Sequence, residues 1–316
     1  MVTLRIVFFG TPDFAVPSLD ALLLSHHQVV GVVTQPDRPR GRGQKTTDAP
    51  VKSRALGARI PILQPERLKD PGFLDALAAL RPDLGVVAAY GKILTDAVLA
   101  APRLGTINVH ASLLPKYRGA APVHRAIIAG ERETGVTIMR VVKELDAGPM
   151  LAKATRPIGD DETSDAVERD LATQGAALLG PVIDALAEHR AEETPQDATA
   201  ATYAHRVTKA DGLIDWTGPA QAVHDRVRGL HPWPHAYTFC GGHRYIVRRS
   251  AVVTGGKVAG LPGTILESAG DRLVVAAGSG ALQILEIQAE GRRAMPVREF
   301  LAGHRLAPGD RFSSAP

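Results

Sequence analysis

Short apolar runs separated by amphipathic stretches fill the first 190 residues. The runs 4–9 (LRIVFF), 29–34 (VVGVVT), 84–89 (LGVVAA), 105–110 (GTINVH) and 135–142 (GVTIMRVV) read as buried strands. Between them, apolar residues recur at helical spacing near 14–24, 51–57, 71–80, 93–100, 119–129 and 163–188. Strands alternating with helices predict an α/β domain built on a parallel sheet. Segment 35–49 breaks the pattern: it is polar, carries Gly and Pro, and reads as a long loop. Residues 190–205, rich in Ala, Thr, Glu and Asp with Pro195 inside, have the composition of a linker. Beyond it, short alternating runs at 244–248, 272–276 and 281–287, split by Gly and Pro turns, predict a small antiparallel barrel or sandwich. The expected division is 1–189, a linker at 190–205, and 206–316.

Composition narrows the function classes. Apolar residues make up 45% of the 316 and aromatics only 4%, so the cores must rest on Ala, Val, Leu and Ile. The single cysteine, Cys240, excludes an internal disulfide and argues against a cysteine-based zinc site. The start has no signal-peptide pattern, and no apolar run reaches membrane-spanning length; a cytoplasmic protein away from membranes is the expectation. Charge is uneven. Residues 206–316 hold 14 Lys/Arg against 9 Asp/Glu, whereas 1–205 hold 23 against 24. A basic back part on a neutral front part fits a polyanionic partner, and ordinary solubility charge also fits.

Candidate chemistry gathers at two places. The turn Gly10-Thr11-Pro12 follows the first strand, where doubly wound proteins bind ligands, but the glycines of a dinucleotide fingerprint are missing. No Walker sequence and no His-Glu-x-x-His is present, so NAD(P), ATP and catalytic zinc are unsupported. Asn108 and His110 are two apart at the end of a predicted strand, on one face. An amide donor beside an imidazole suits a developing oxyanion and a moving proton, although such a pair also occurs for purely structural reasons. Asp146, in a loop after a strand, could orient His110 or take up a proton; a lone loop Asp also serves as a turn-former. His231 and His235 flank Pro232-Trp233-Pro234 and do not share a helical face. With His224 they read as surface histidines of a turn rather than as metal ligands.

The strings GTPDFAV (10–16), QPDRPRGRG (35–43), NVHASLLPKYRGAAP (108–122), ETGVTIM (133–139) and ELDAGPML (144–151) resemble those of the methionyl-tRNA formyltransferase family. Ile214-Asp215-Trp216, Pro232-Trp233-Pro234 and Pro308-Gly309-Asp310-Arg311 extend the resemblance over nearly the whole chain. It implies a Rossmann-like formyltransferase domain followed by a β-barrel of oligonucleotide-binding (OB-like) type that binds tRNA. The implied reaction moves a formyl group from 10-formyltetrahydrofolate to the amino group of methionyl-initiator tRNA, without a metal. Asn108, His110 and Asp146 fall on the family's catalytic positions. Ser112, Leu113, Leu114 and Pro115 fall on its folate-lining stretch, and Arg42 on its tRNA-binding loop. A monomer is implied as well.

Two other readings compete. A formyltransferase of this fold acting on a small amine would need neither the basic second part nor the Arg-Gly-rich loop 38–43, and both are present. A catalytically silent RNA-binding protein would be expected to have lost Asn108, His110 or Asp146, and all three are present.

Overall fold

A computed structural model describes residues 2–37, 39–40, 45–254 and 260–315. The chain divides into two compact units. The first comprises 1–122, 134–156 and 168–204; the second comprises 123–133, 157–167 and 205–316.

The first unit is built on a seven-stranded sheet: β1 (Arg5–Gly10), β2 (Gln28–Val33), β3 (Ile62–Leu63), β4 (Leu84–Ala88), β5 (Thr106–His110), β6 (Glu133–Arg140) and β7 (Met150–Pro157). Their order is β7-β6-β5-β4-β1-β2-β3. Five strands, β3 to β5 across β2, β1 and β4, pair in parallel. Ile6, Val7, Phe8 and Phe9 of the central β1 are wholly buried, which is why that segment reads as one unbroken apolar run. The uniformly parallel expectation fails at β6, which runs antiparallel to β5 and sets Thr137 opposite His110. An apolar run buried on both faces carries no alternation that would reveal strand direction.

Helices α1 (Val16–Leu24), α2 (Pro50–Gly57), α3 (Pro71–Ala79) and α4 (Asp96–Leu99) lie close to their expected places. Pro50 and Pro71 start their helices at positions whose N–H has no intrahelical partner, and Asp70 caps α3 by accepting from the Gly72 N–H at 2.9 Å. Helices α5 (Pro122–Ile128) and α6 (Ser164–Ala187) also match. Strand β7 escaped the pattern because every second residue of its latter half is exposed and polar or small. In the segment 35–49, Pro39–Arg40 pairs antiparallel with Lys45–Thr46; Arg42 lies outside the described residues.

Residues 194–204, linker-like in composition, are stitched onto the first unit. Thr194 and Met150 exchange backbone hydrogen bonds at 2.8 and 2.9 Å, and Tyr203–Ala204 pairs in parallel with Arg118–Gly119.

The second unit carries an antiparallel sheet of β8 (Ala236–Cys240), β9 (His243–Val253), β10 (Ile265–Ala269), β11 (Arg272–Ala276), β12 (Ala281–Ala289) and β13 (Met295–Pro296). Its order is β8-β9-β12-β11-β10, with β13 on β12. The tail bridges Phe239 through Ser313 and Thr264 through Arg311. Trp216 stacks on Phe312 with centroids 5.8 Å apart, and its indole N–H donates to Thr238.

Helices α7 (Ala220–Gly229) and α8 (Val297–Gly303) were not legible. In α7 the buried face includes His224, Asp225 and Arg228, so polar residues interrupt the apolar period. Arg228 pairs with Asp225 at 2.7 Å and also donates to the carbonyls of Gly159 and Glu162. His224 is therefore not the surface histidine expected. It is buried, bonded to Ser250 at 3.1 Å and to the Asp160 carbonyl at 3.0 Å. Among the described residues, no helix is long and apolar enough to cross a membrane.

Candidate functional site

The carboxyl ends of β2, β1, β4 and β5 release four neighbouring loops, the place where a parallel sheet opens a crevice. Three of them are tied together by polar bonds. Thr11 donates to the Tyr90 carbonyl at 3.4 Å and accepts from the Gln35 N–H at 3.3 Å, and Gln35 Nε2 donates to the Tyr90 carbonyl at 3.0 Å. Thr11 is thus committed to the scaffold. Gly10 is required there, since a Cβ would stand 2.7 Å from the Phe8 ring and 3.0 Å from the Ala88 carbonyl. The Tyr90 phenol is buried beside Phe9, and burial pushes it up to about 12.

Strand β5 itself carries Asn108 and, as its last residue, His110, and Asp146 comes from the connection between β6 and β7. Asn108 is half-buried, and its side chain makes no hydrogen bond among the described residues. His110 is 6% exposed. Its Nε2 lies 3.1 Å from the Tyr117 carbonyl, which can only accept, so Nε2 carries a proton. Nδ1 is left as the group able to gain one. It faces Asp146 Oδ2 at 3.8 Å, too far for a hydrogen bond. Asp146 Oδ2 in turn accepts from the Gly119 N–H at 2.8 Å. Asp146 is thereby held against His110, which shares β5 with Asn108.

Two backbone conformations hold this arrangement. Tyr117 (φ 60°) and Asp146 (φ 48°) are non-glycine residues in the left-handed region, one touching each nitrogen side of His110. Such conformations cost about 1–3 kcal/mol and persist only where the surroundings over-determine them. Gly119 (φ 122°) has no room for a side chain, because a Cβ would lie 2.7 Å from the Ala204 carbonyl.

The stretch 112–115 is mostly committed to the protein. Ser112 Oγ donates to the Lys116 carbonyl at 2.7 Å. Leu113 packs on Gly135, where a Cβ would clash with it at 2.4 Å. Leu114 is buried with Met139 and Met150, and Pro115 is half-buried. Thr137 braces the loop, donating to the Ser112 carbonyl at 2.7 Å and accepting from the Leu114 N–H at 3.2 Å.

Sequence reasoning missed the Tyr117 carbonyl, the Gly119 N–H and Thr137. Main-chain groups leave no residue-type signal, and a buried Thr on a strand looks like any other β-former. It also missed Gln196, which bonds to both site loops from inside a linker-like composition. Among the described residues, one group could hold a metal: His26, His27 and Asp184. It lies before β1 and β2, at the opposite end of the sheet from His110.

A strand-end crevice with an uncommitted amide, an imidazole and a carboxylate is the equipment of an acyl- or formyl-transfer site. Comparison with known proteins agrees. Residues 4–183 match the family model described as formyl transferase, and 206–305 match that of the formyl transferase C-terminal domain. The methionyl-tRNA formyltransferase of Moorella thermoacetica is 45% identical over 307 residues, covering 97% of this chain and 98% of the relative. That of Citrifermentans bemidjiense is 47% identical over 309 residues, covering 98% and 96%. In fold, the chain resembles an N-formyltransferase from Helicobacter canadensis solved with folinic acid and dTDP-3-aminofucose (TM-score 0.69, 17% identity, 91% and 100% covered). The chain belongs to the formyl transferase family, within the branch of the methionyl-tRNA formyltransferases.

Proposed function

We propose that this protein transfers the formyl group of 10-formyltetrahydrofolate to the amino group of methionyl-initiator tRNA, yielding N-formylmethionyl-tRNA for translation initiation. One observation carries the reading. His110 faces Asp146 at the end of the strand that carries Asn108, in a chain that aligns over nearly its whole length with relatives named for that activity.

The folate supplies an activated formyl carbon. The α-amino group that attacks it has a reference pKa of about 7.7–8.0, so a useful fraction is neutral near pH 7. Asn108 donates its free amide to the formyl oxygen as negative charge develops there. His110 takes the proton of the attacking amine on Nδ1, the nitrogen its tautomer leaves open, and returns it to the departing nitrogen. Asp146 steadies the imidazolium without leaving its Gly119 hydrogen bond. The formyl carbon–N10 bond breaks as the new amide bond forms. No step calls for a metal.

Ser112, Leu113, Leu114 and Pro115 form the wall along which the folate lies. Because Ser112 and Leu114 are turned into the protein, the loop's shape and main chain, more than those two side chains, face the ligand. Arg42 reaches the tRNA from the loop after β2. Residues 1–189 form the catalytic domain, 190–205 the connection, and 206–316 an OB-like barrel that binds tRNA. The tail bridges at Phe239 and Thr264 favour closure of that sheet, and the excess of 14 Lys/Arg over 9 Asp/Glu suits a phosphate backbone. The protein acts as a cytoplasmic monomer.

The test is transfer from 10-formyltetrahydrofolate to charged initiator tRNA, with a free amino sugar nucleotide and a purine-pathway ribonucleotide amine as competing acceptors. Formylation of the tRNA alone is expected. Transfer only to a small amine would overturn the acceptor, and no transfer at all would overturn the reading.

A further inference from the structure

The amide of Gln196 spans two loops of the site. Its Oε1 accepts from Arg118 Nε at 3.1 Å and Nη2 at 2.7 Å, while its Nε2 donates to the carbonyls of Asp146 and Gly148, both at 2.8 Å. All four hydrogen-bonding positions of the side chain are filled, so its orientation is fixed. The chemistry explains why a neutral amide stands here. A glutamate would satisfy Arg118, but its second oxygen would face two carbonyl oxygens that need a donor. Arg118 is 7% exposed, and no carboxylate pairs with it among the described residues.

These bonds end on the groups that flank His110. Asp146, whose carboxylate faces Nδ1, sits in a left-handed conformation, and Gln196 holds its carbonyl. Tyr117, whose carbonyl takes the Nε2 proton, is also left-handed. Its N–H donates to Thr202 Oγ1 at 2.9 Å, and the next N–H, of Arg118, donates to the Thr202 carbonyl at 2.9 Å. One strap, 194–204, therefore pins both strained residues from outside the sheet.

We infer that Gln196, with Arg118, is a positioning residue of the formyl transfer: it locks the 117–119 and 146–148 loops so that the Asp146 carboxylate stays against His110. The inference rests on the function proposed above. A misplacement of about 1 Å in such a group can cost on the order of a hundredfold in rate.

The experiment uses the full chain and the variants Gln196→Glu and Arg118→Lys. The first keeps the acceptor and loses the donor; the second replaces a two-pronged guanidinium by a point charge. Three quantities are measured: kcat and KM for both substrates, folate bound per folded chain, and the ring nitrogen resonances of His110. The expected result is a kcat lower by about ten- to a hundredfold, with both KM values within about twofold and unchanged folate stoichiometry. The His110 resonances should be displaced from those of the unaltered protein. A merely structural role would lower the folate stoichiometry and leave the resonances of the folded fraction in place. Resonances that superimpose on the unaltered protein's, or an unchanged kcat, overturn the inference. If Gln196→Glu does not fold, Arg118→Lys decides by the same measures. If the unaltered protein formylates no charged tRNA, the proposed function fails, and the resonances alone still decide the positioning role.

Discussion

Two histidine–aspartate pairs stand at opposite ends of the first unit's sheet, and they are built differently. His27 precedes β2. Its Nδ1 accepts from the Leu4 N–H at 3.2 Å, and its Nε2 donates to Asp184 Oδ1 at 3.1 Å, so both nitrogens are used. His110 ends β5. Its Nε2 is used by a carbonyl, and its Nδ1 looks at a carboxylate 3.8 Å away with no hydrogen bond made. Both rings are buried and both have an acidic neighbour. The difference is one open nitrogen. A ring with two committed nitrogens ties the entry of β1 to α6; a ring with one open nitrogen beside a carboxylate has a place to receive a proton.

The largest effect that should separate the pairs is on turnover. His110→Ala and Asn108→Ala are each expected to lower kcat by about a hundredfold or more, the usual loss when a group acting in the transition state is removed. His27→Ala should leave the kcat of the folded protein unchanged within about twofold. Steady-state transfer rates, corrected for folded fraction by circular dichroism, make the comparison. A near-normal rate for His110→Ala would remove the distinction altogether.

Stability should show the reverse. His27→Ala orphans the Leu4 N–H inside the sheet and is expected to cost about 1–3 kcal/mol for that group, with a cavity term in addition. His110→Ala should cost less, because it frees the strained Tyr117 and Asp146 loops as well as removing contacts. Urea unfolding of the two variants side by side tests the order. Equal losses would mean that His110 is as structural as His27.

How far this contrast could be read in the sequence depends on where the information lies. Asn108 and His110 were visible because two side chains share a strand face, and the run from Leu4 to Phe9 announced a buried strand. Asp146 stood out only as a loop acid after a strand, open to a turn-forming role as well, and the resemblance singled it out, since nothing local brings residue 146 to residue 110. Gln196 was hidden in a stretch of linker composition, because long-range hydrogen bonds leave no periodicity. The direction of β6 was lost with the missing alternation, and α7 with its buried His224, Asp225 and Arg228. Nothing in the sequence sets His27 apart; only the fold shows its Nδ1 against Leu4.

Acid should weaken the protein moderately, partly through the same histidine. Burial first, and then the neighbouring His26, hold His27 below the ordinary histidine value. Burial and then Arg125 do the same to His124. Burial, Arg248 and His231 bring His235 down to about 4. Each takes a proton less readily folded than unfolded, so the unfolded chain binds more protons below about pH 6.5. The stability is present above that value and is lost as pH falls towards about 4. Urea midpoints at pH 7.5, 6.5 and 5.5 should decrease in that order, and His27→Ala should flatten the trend. A midpoint that rises on acidification would show the charged His27–Asp184 pair dominating instead.

The smallest expected effect is none, and it concerns a metal. His26, His27 and Asp184 offer three ligand atoms within 4.8 Å of one another, a spacing that invites a zinc site. The tautomer argues otherwise. A metal on His27 Nε2 needs the ring's one proton on Nδ1, and Nδ1 is where the Leu4 N–H already donates. Two N–H groups would then face each other in the interior, which the strand pairing of Leu4 with Gln28 does not permit to relax freely. Both Nε2 atoms already turn to one oxygen, Asp184 Oδ1, at 3.6 Å from His26 and 3.1 Å from His27, so the carboxylate is engaged by the rings themselves. Added zinc at concentrations that saturate ordinary two-histidine sites should therefore leave the melting temperature unchanged, and chelator treatment should leave turnover unchanged. A zinc-dependent rise in melting temperature that His26→Ala abolishes would show that His27 gives up its bond to Leu4, and the two histidine pairs would then differ in ligand rather than in tautomer.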